Sequence, residues 1–159
     1  MAFSISPEAA QAIRDKESVK IVATIGKEGI PHAAVKDSLT VLDDGTLAFY
    51  ELLETSQTQK NLVYSIWFNK YVSVTVVTRD GRSYQLKGIP QRAVVAGRRF
   101  LKAYEEVQRT LGPEADLSAI WVIRPELERE GTYRVRREEE EALHPYELHV
   151  DRIAKEEYR

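Results

Sequence analysis

Six short runs of β-prone residues, separated by turn signals, restrict the fold of this chain more than any other feature. The runs cover residues 19–25, 31–42, 46–50, 71–78, 83–95 and 119–123. Asp43-Asp44-Gly45 and Asp80-Gly81 are typical hairpin turns, and Pro125 is expected to end the sixth run. Strands joined by such short turns predict an antiparallel sheet, and the first three runs predict a meander.

Three helical patterns interrupt the strands. Ser6, followed by Pro7 and Glu8, predicts a helix that reaches about residue 15. A second helix is expected after residue 55, where Leu62, Val63, Ile66 and Trp67 form an apolar face at helical spacing. A third pattern covers residues 97–111 and stops at a Gly-Pro pair. The sequence therefore predicts a mainly β protein with α elements, organised as a small barrel.

The length of 159 residues fits a single domain over residues 1–159. From about residue 136 we expect a charged C-terminal tail or arm, because Arg136-Arg137 is followed by four glutamates in a row. A short strand is expected just before it, at residues 132–135. Residues 145–153 are expected to form a last strand or an arm that reaches a partner subunit.

Composition excludes several classes of function. The net charge of -2 gives no overall electrostatic basis for binding nucleic acid or an anionic membrane, and no apolar run is long enough to span a bilayer. The chain has no cysteine, and its three histidines do not cluster, so we expect no disulfide and no metal site. A cytoplasmic protein is the expectation.

The order and wording of several segments resemble the FMN-binding split barrels of the pyridoxamine-5′-phosphate-oxidase-like superfamily. These segments are VATIG (22–26), GIPH (29–32), GTLAFY (45–50), SQTQKNL (56–62), VSVTV (72–76) and YQLKG (84–88). The resemblance implies an antiparallel six-stranded split β-barrel. It also implies a homodimer that binds FMN at the subunit interface, most simply as a flavin-dependent oxidoreductase of unknown substrate.

The resemblance also implies which residues contact the cofactor. The polar groups at the flavin ring are expected from the second and third strands and from a later strand, at Lys36, Asp37, Ser38, Tyr50, Glu51 and Gln85. The phosphate is expected at the start of the second helix, at Ser56, Gln57, Thr58, Lys60 and Asn61. Hydroxyls, a cation and free helix amides are the groups that a phosphate dianion needs.

Several alternatives remain open. The oxidase pattern Ser-Arg-Lys reads Ser56-Gln57-Thr58 here, so two cations are missing, and a deazaflavin, a haem or a dimeric sensing module without cofactor stays possible. Ser56 or Thr58 could cap a helix without a ligand, and Asn61 could tie the helix to a strand. His32 is expected as a strand-start residue, and the aromatic group at residues 67–71 as core or dimer contact. No residue stands out as a catalytic acid or base.

Overall fold

The computed structural model describes residues 3–144. Its strands are β1 (Val19–Ile25), β2 (Pro31–Val35), β3 (Thr40–Val41), β4 (Leu47–Glu51), β5 (Val72–Val77), β6 (Ser83–Val94) and β7 (Ala119–Glu130). Its helices are α1 (Pro7–Arg14), α2 (Gln57–Phe68), α3 (Arg98–Leu111) and α4 (Tyr133–Leu143). The expected helix caps form, because the Ser6 and Ser56 hydroxyls accept the amides of Ala9 and Gln59.

The seven strands form one antiparallel sheet in the order β2-β1-β5-β6-β7-β4-β3. Its two edge strands, β2 and β3, are consecutive in the chain and are separated only by residues 36–39. Four residues between two strand ends span at most about 18 Å, so the two edges of the sheet must lie close together. The sheet is therefore curled into a barrel, which confirms the predicted antiparallel split barrel.

The predicted second strand is two strands, which raises the count from six to seven. A turn divides it, and within that turn the Leu39 amide donates to the Lys36 carbonyl over 3.0 Å. The antiparallel pairings predicted for the first three runs are present, divided between the two parts of the second run. The β1–β2 and β3–β4 hairpins both form, but they lie at opposite ends of the sheet order, since β4 pairs with β7.

Pro125 does not end the last strand. β7 continues to Glu130, and Pro125 lies opposite Gly88, where the pairing of β6 and β7 shifts register. A proline without an amide hydrogen is tolerated at such an irregularity.

The strand expected at residues 132–135 is also wrong, because helix α4 begins there. α4 carries the charged run, and its arginines pair with glutamates three or four residues later, as in Arg137–Glu141 at 2.9 Å. No residue of α4 is buried, so the charges face solvent as expected. The expectation for residues 145–153 lies outside the described residues.

Apolar side chains fill the barrel and also cover one outer face. Val22, Phe49, Leu86 and Trp121 belong to the main core and are almost completely buried. A second cluster forms where α3 packs its Ala103 and Val107 against Ala48 of β4 and Ile120 of β7. β4 and the first half of β7 are thus buried on both faces, which explains their continuous apolar runs.

We predict that Gly88→Ala destabilises the barrel. A Cβ at this position would lie 2.2 Å from the Arg124 carbonyl oxygen and 2.8 Å from Pro125 Cα, so the backbone must move. The free energy of unfolding in urea should fall by about 2–4 kcal/mol, the range of a severe steric lesion. Lys87→Ala, on the exposed neighbouring position, should change it by less than about 0.5 kcal/mol. Equal stability of the two variants would contradict the close approach.

Candidate functional site

Helix α2 is oriented with its polar side toward the barrel. Its buried residues are Thr58, Asn61, Leu62 and Ser65. Its exposed apolar residues are Val63, Ile66, Trp67 and Phe68. Within the described part of the chain, the predicted apolar face thus packs inward only through Leu62. Trp67 is 80% exposed and Phe68 is 61% exposed, so this aromatic group is not part of the core that residues 3–144 form.

Asn61 is the polar group that ties α2 to the sheet. Its side-chain amide donates to the Thr24 hydroxyl of β1 over 3.0 Å and accepts from the Gln57 side chain over 2.8 Å. Gly26 allows this approach, because a Cβ there would lie 2.5 Å from Asn61 Oδ1. These contacts fix the distance between α2 and the β1–β2 hairpin.

A cavity of about 530 Å³ lies between α2 and this hairpin. We call it the hairpin cavity. The helix contributes Gln57, Lys60, Asn61 and Tyr64, which share one helix face, and the hairpin contributes Gly26, Lys27, Glu28, Ile30, Pro31 and His32. The volume lies within the range of small-molecule and cofactor sites. The structure thus brings three of the predicted phosphate residues together, namely Gln57, Lys60 and Asn61.

The other two predicted phosphate residues have different surroundings. Ser56 caps α2, its hydroxyl accepting the Gln59 amide over 3.0 Å. Thr58 is buried, and its hydroxyl has no hydrogen-bond partner within the described chain. The amides of Gln57 and Thr58 precede the first intrahelical hydrogen bonds, so the helix itself does not use them. A cation, side-chain amides and a helix start therefore lie together, and this donor set fits a phosphorylated ligand such as FMN.

The residues expected at the flavin ring hold the barrel's closing turn instead of lining the cavity. Lys36 Nζ lies 2.7 Å from Glu51 Oε2, and these side chains are only 13% and 3% exposed. The Lys36 ammonium also lies 5.4 Å from the centre of the Phe49 ring, a cation–π distance. The Ser38 hydroxyl accepts the Tyr50 amide over 2.9 Å. These polar groups are satisfied within the chain.

Two titratable side chains next to this turn, those of Tyr50 and Lys20, have shifted pKa values. Burial raises the pKa of the Tyr50 hydroxyl, which donates to Glu106 over 3.2 Å, and the Glu106 carboxylate raises it further. Tyr50 is thus a neutral donor at neutral pH. Burial lowers the pKa of the Lys20 ammonium, while the carboxylates of Asp37 and Asp15 oppose that shift. Asp37 itself is exposed, and its carbonyl accepts from Lys20 over 3.5 Å.

Gln85 stands apart from the other predicted residues. It is exposed on β6, opposite Thr75 and Arg129, and it does not line the hairpin cavity. The structure also has a second groove beside α2, and Gln85 does not line that groove either. That groove, of about 860 Å³, lies on the other side of α2 against α3 and is lined by Lys60, Val63, Phe100 and Tyr104, among others.

Seven residues that line the hairpin cavity were not predicted from the sequence, and Tyr64 and His32 are the two whose side chains bear most on its chemistry. Tyr64 is seven residues after Gln57, so helical spacing from Gln57 and Lys60 was the signal for it. His32 pairs with Thr24, and directly opposed residues point to the same face of a sheet. Because Asn61 of α2 contacts Thr24, His32 also faces α2.

The described residues include no group of three or more side chains that could hold a metal ion. Within residues 3–144, no helix has the length and apolar character needed to cross a membrane.

Comparison with solved structures shows a shared fold at low sequence identity. HupZ from Group A Streptococcus aligns with a TM-score of 0.66 and 22% identity, over 81% of this chain and 95% of that one. An FMN-binding protein from Syntrophomonas wolfei gives 0.62 and 13%, over 78% and 84%. A putative pyridoxamine 5′-phosphate oxidase from Lactobacillus delbrueckii gives 0.59 and 16%, over 79% and 93%.

The chain has the split-barrel fold that these solved structures share. The same fold occurs in an F420 reductase and in HutZ, the haem storage protein from Vibrio cholerae. No protein-family model and no curated protein matches the sequence.

We predict that Lys36→Met destabilises the split barrel, because it leaves the Glu51 carboxylate buried without its cation. Loss of one partner of a buried pair costs about 3–5 kcal/mol. The double variant Lys36→Met/Glu51→Leu should recover most of that loss, since apolar residues can replace a buried pair. Urea denaturation of both variants tests this. A single variant as stable as the unmodified protein would show that the pair does not hold the turn.

Proposed function

We propose that this split barrel binds FMN in the hairpin cavity and acts as a flavin-dependent oxidoreductase. The observation that supports it is the convergence of Lys60, the Gln57 and Asn61 amides and the start of α2 on one cavity. Lys60 would hold the phosphate, and Tyr64 and Ile30 offer apolar surface to the ring system. When bound, FMN supplies redox chemistry at its own ring, and the protein contributes position and electrostatics.

The exposed apolar side of α2 supports a homodimer. The helix buries threonine, asparagine and serine and exposes Val63, Trp67 and Phe68. Burying these apolar side chains against a partner would stabilise the assembly. The hairpin cavity and the α2–α3 groove flank this helix. A second copy packed on it would therefore cover the cavity and place the cofactor at the subunit interface. The cysteine-free composition suits the cytoplasm.

Two alternatives stand beside this proposal, and the first uses the same cavity. Solved structures with this fold include an F420 reductase and a haem storage protein, so a deazaflavin or a haem is the second candidate. A haem needs an axial ligand, and His32 supplies an imidazole to the cavity. A dimeric sensing module is the third candidate, and the internal pairing of Lys36 with Glu51 is consistent with it, because it removes two polar groups from ligand binding.

We predict that the purified protein binds FMN and that Lys60→Met weakens this binding about tenfold, the loss expected for one cation on a phosphate. Riboflavin has the same ring without the phosphate, so its affinity should not change in the variant. Flavin fluorescence titration measures both. Lys70→Met, beyond the far end of α2, is the matched control. Failure of FMN to bind, with a gain in thermal stability on adding haem or F420, would favour the second candidate.

We also predict that the protein is a dimer at micromolar concentration and that Trp67→Glu makes it a monomer. The charge would be buried against the partner's apolar surface, whereas in the isolated chain Trp67 already faces solvent. Analytical ultracentrifugation measures the mass, and urea denaturation checks the fold. Leu127→Glu, another exposed apolar position but on β7, should leave the dimer intact. Dissociation by both variants, or by neither, would argue against this face.

A further inference from the structure

His32 lines the cavity, and the proposed FMN site gives it no role in binding the phosphate. It is half-buried on β2, next to the turn of the β1–β2 hairpin, and it lines the hairpin cavity together with Lys60. Its pairing with Thr24 turns it toward α2, because Thr24 is hydrogen-bonded to Asn61 of that helix. The imidazole and the Lys60 side chain therefore approach the cavity from opposite walls.

The other charged groups around the cavity form no ion pair with His32 or Lys60 among the described residues. From the hairpin, Lys27 and Glu28 face the cavity, and they pair with each other at 3.6 Å. From α2, Tyr64 and Lys60 face it. Among the described residues, no carboxylate forms a salt bridge with Lys60 or His32. Beside the exposed Lys27–Glu28 pair, the cavity thus offers a ligand the Lys60 ammonium and the His32 imidazole.

We propose that His32 and Lys60 grip one phosphate-type dianion from the two walls, so that protonation of His32 sets the affinity of the site. A histidine changes charge between about pH 5 and 8, whereas a lysine stays charged throughout this range. Affinity for a dianion therefore rises as the pH falls, with Lys60 supplying the constant part. The identity of the natural ligand rests on the proposed FMN function, but the anion site itself does not.

The FMN phosphate is a poor first probe, because it gains a proton in the same pH range and loses charge there. Sulfate stays a dianion from pH 6 to pH 8, so its affinity isolates the protein's own titration. Nuclear magnetic resonance locates it, through the side-chain amide signals of Gln57 and Asn61 and the ring signals of His32. The imidazole signals report on the unmodified protein, which keeps the test valid if a His32 variant fails to fold.

We predict that sulfate binds about tenfold more tightly at pH 6 than at pH 8, the effect of one added charge-assisted contact. His32→Gln should bind with the same affinity at both values, equal to that of the unmodified protein at pH 8. Lys60→Met should weaken binding at both values and keep the pH dependence. A sulfate affinity that does not change with pH, or that still changes in His32→Gln, would overturn the proposal.

The two proposals fail in different ways. If sulfate behaves as predicted but FMN does not bind, the cavity is a protonation-dependent anion site for another phosphorylated ligand and the FMN function is wrong. If FMN binds through Lys60 while sulfate affinity ignores pH, the FMN function stands and the role of His32 is wrong.

Discussion

The closing turn at residues 36–39 is the constraint on which the rest of the barrel depends, because it joins the two edges of one sheet. Three separate interactions hold it: the Lys36 amide on the Lys20 carbonyl at 2.8 Å, the Lys36–Glu51 ion pair, and the Ser38 hydroxyl on the Tyr50 amide. Removing one partner of an ion pair with so little solvent contact leaves the other charge buried and unpaired, which strongly destabilises the fold. Lys36, Ser38 and Glu51, which the resemblance assigns to the flavin ring, therefore hold the barrel closed.

Closure also decides where a ligand can bind. The barrel interior is filled by side chains such as Phe49, Leu86 and Trp121, which leave it no space for a ring system. A site must then lie outside the barrel, and α2 is the element that creates one on each side. Its polar contacts to β1 hold it at a set distance from the hairpin, while no part of residues 3–144 covers its apolar side.

Patterns within one element were predictable from the sequence, and relations between elements were not. Alternation and turn residues predicted most of the strands, and Ser6 and Ser56 predicted two helix starts. The split of the second run was missed because residues 36–39 carry no glycine or proline. The orientation of α2 was missed because apolar spacing predicts a core-facing side, and only the chain's tertiary contacts show that Asn61 and Ser65 face inward. To predict that His32 faces α2, one needs the register of β2 against β1, which a single sequence does not give.

A shared fold leaves the ligand open, since function lies in the site and not in the barrel. The proteins with this fold named above include one that binds FMN and one that stores haem, so the discrimination must come from this chain's own side chains. The two ligands would need different protonation states of the His32 imidazole. An imidazole that ligates iron must be neutral, whereas one that contacts a phosphate binds it more tightly when protonated, because both ring nitrogens then donate and the ring is charged. Acidification should therefore weaken a haem held by His32 and strengthen the binding of an anion of constant charge such as sulfate, so these two pH dependences differ in sign.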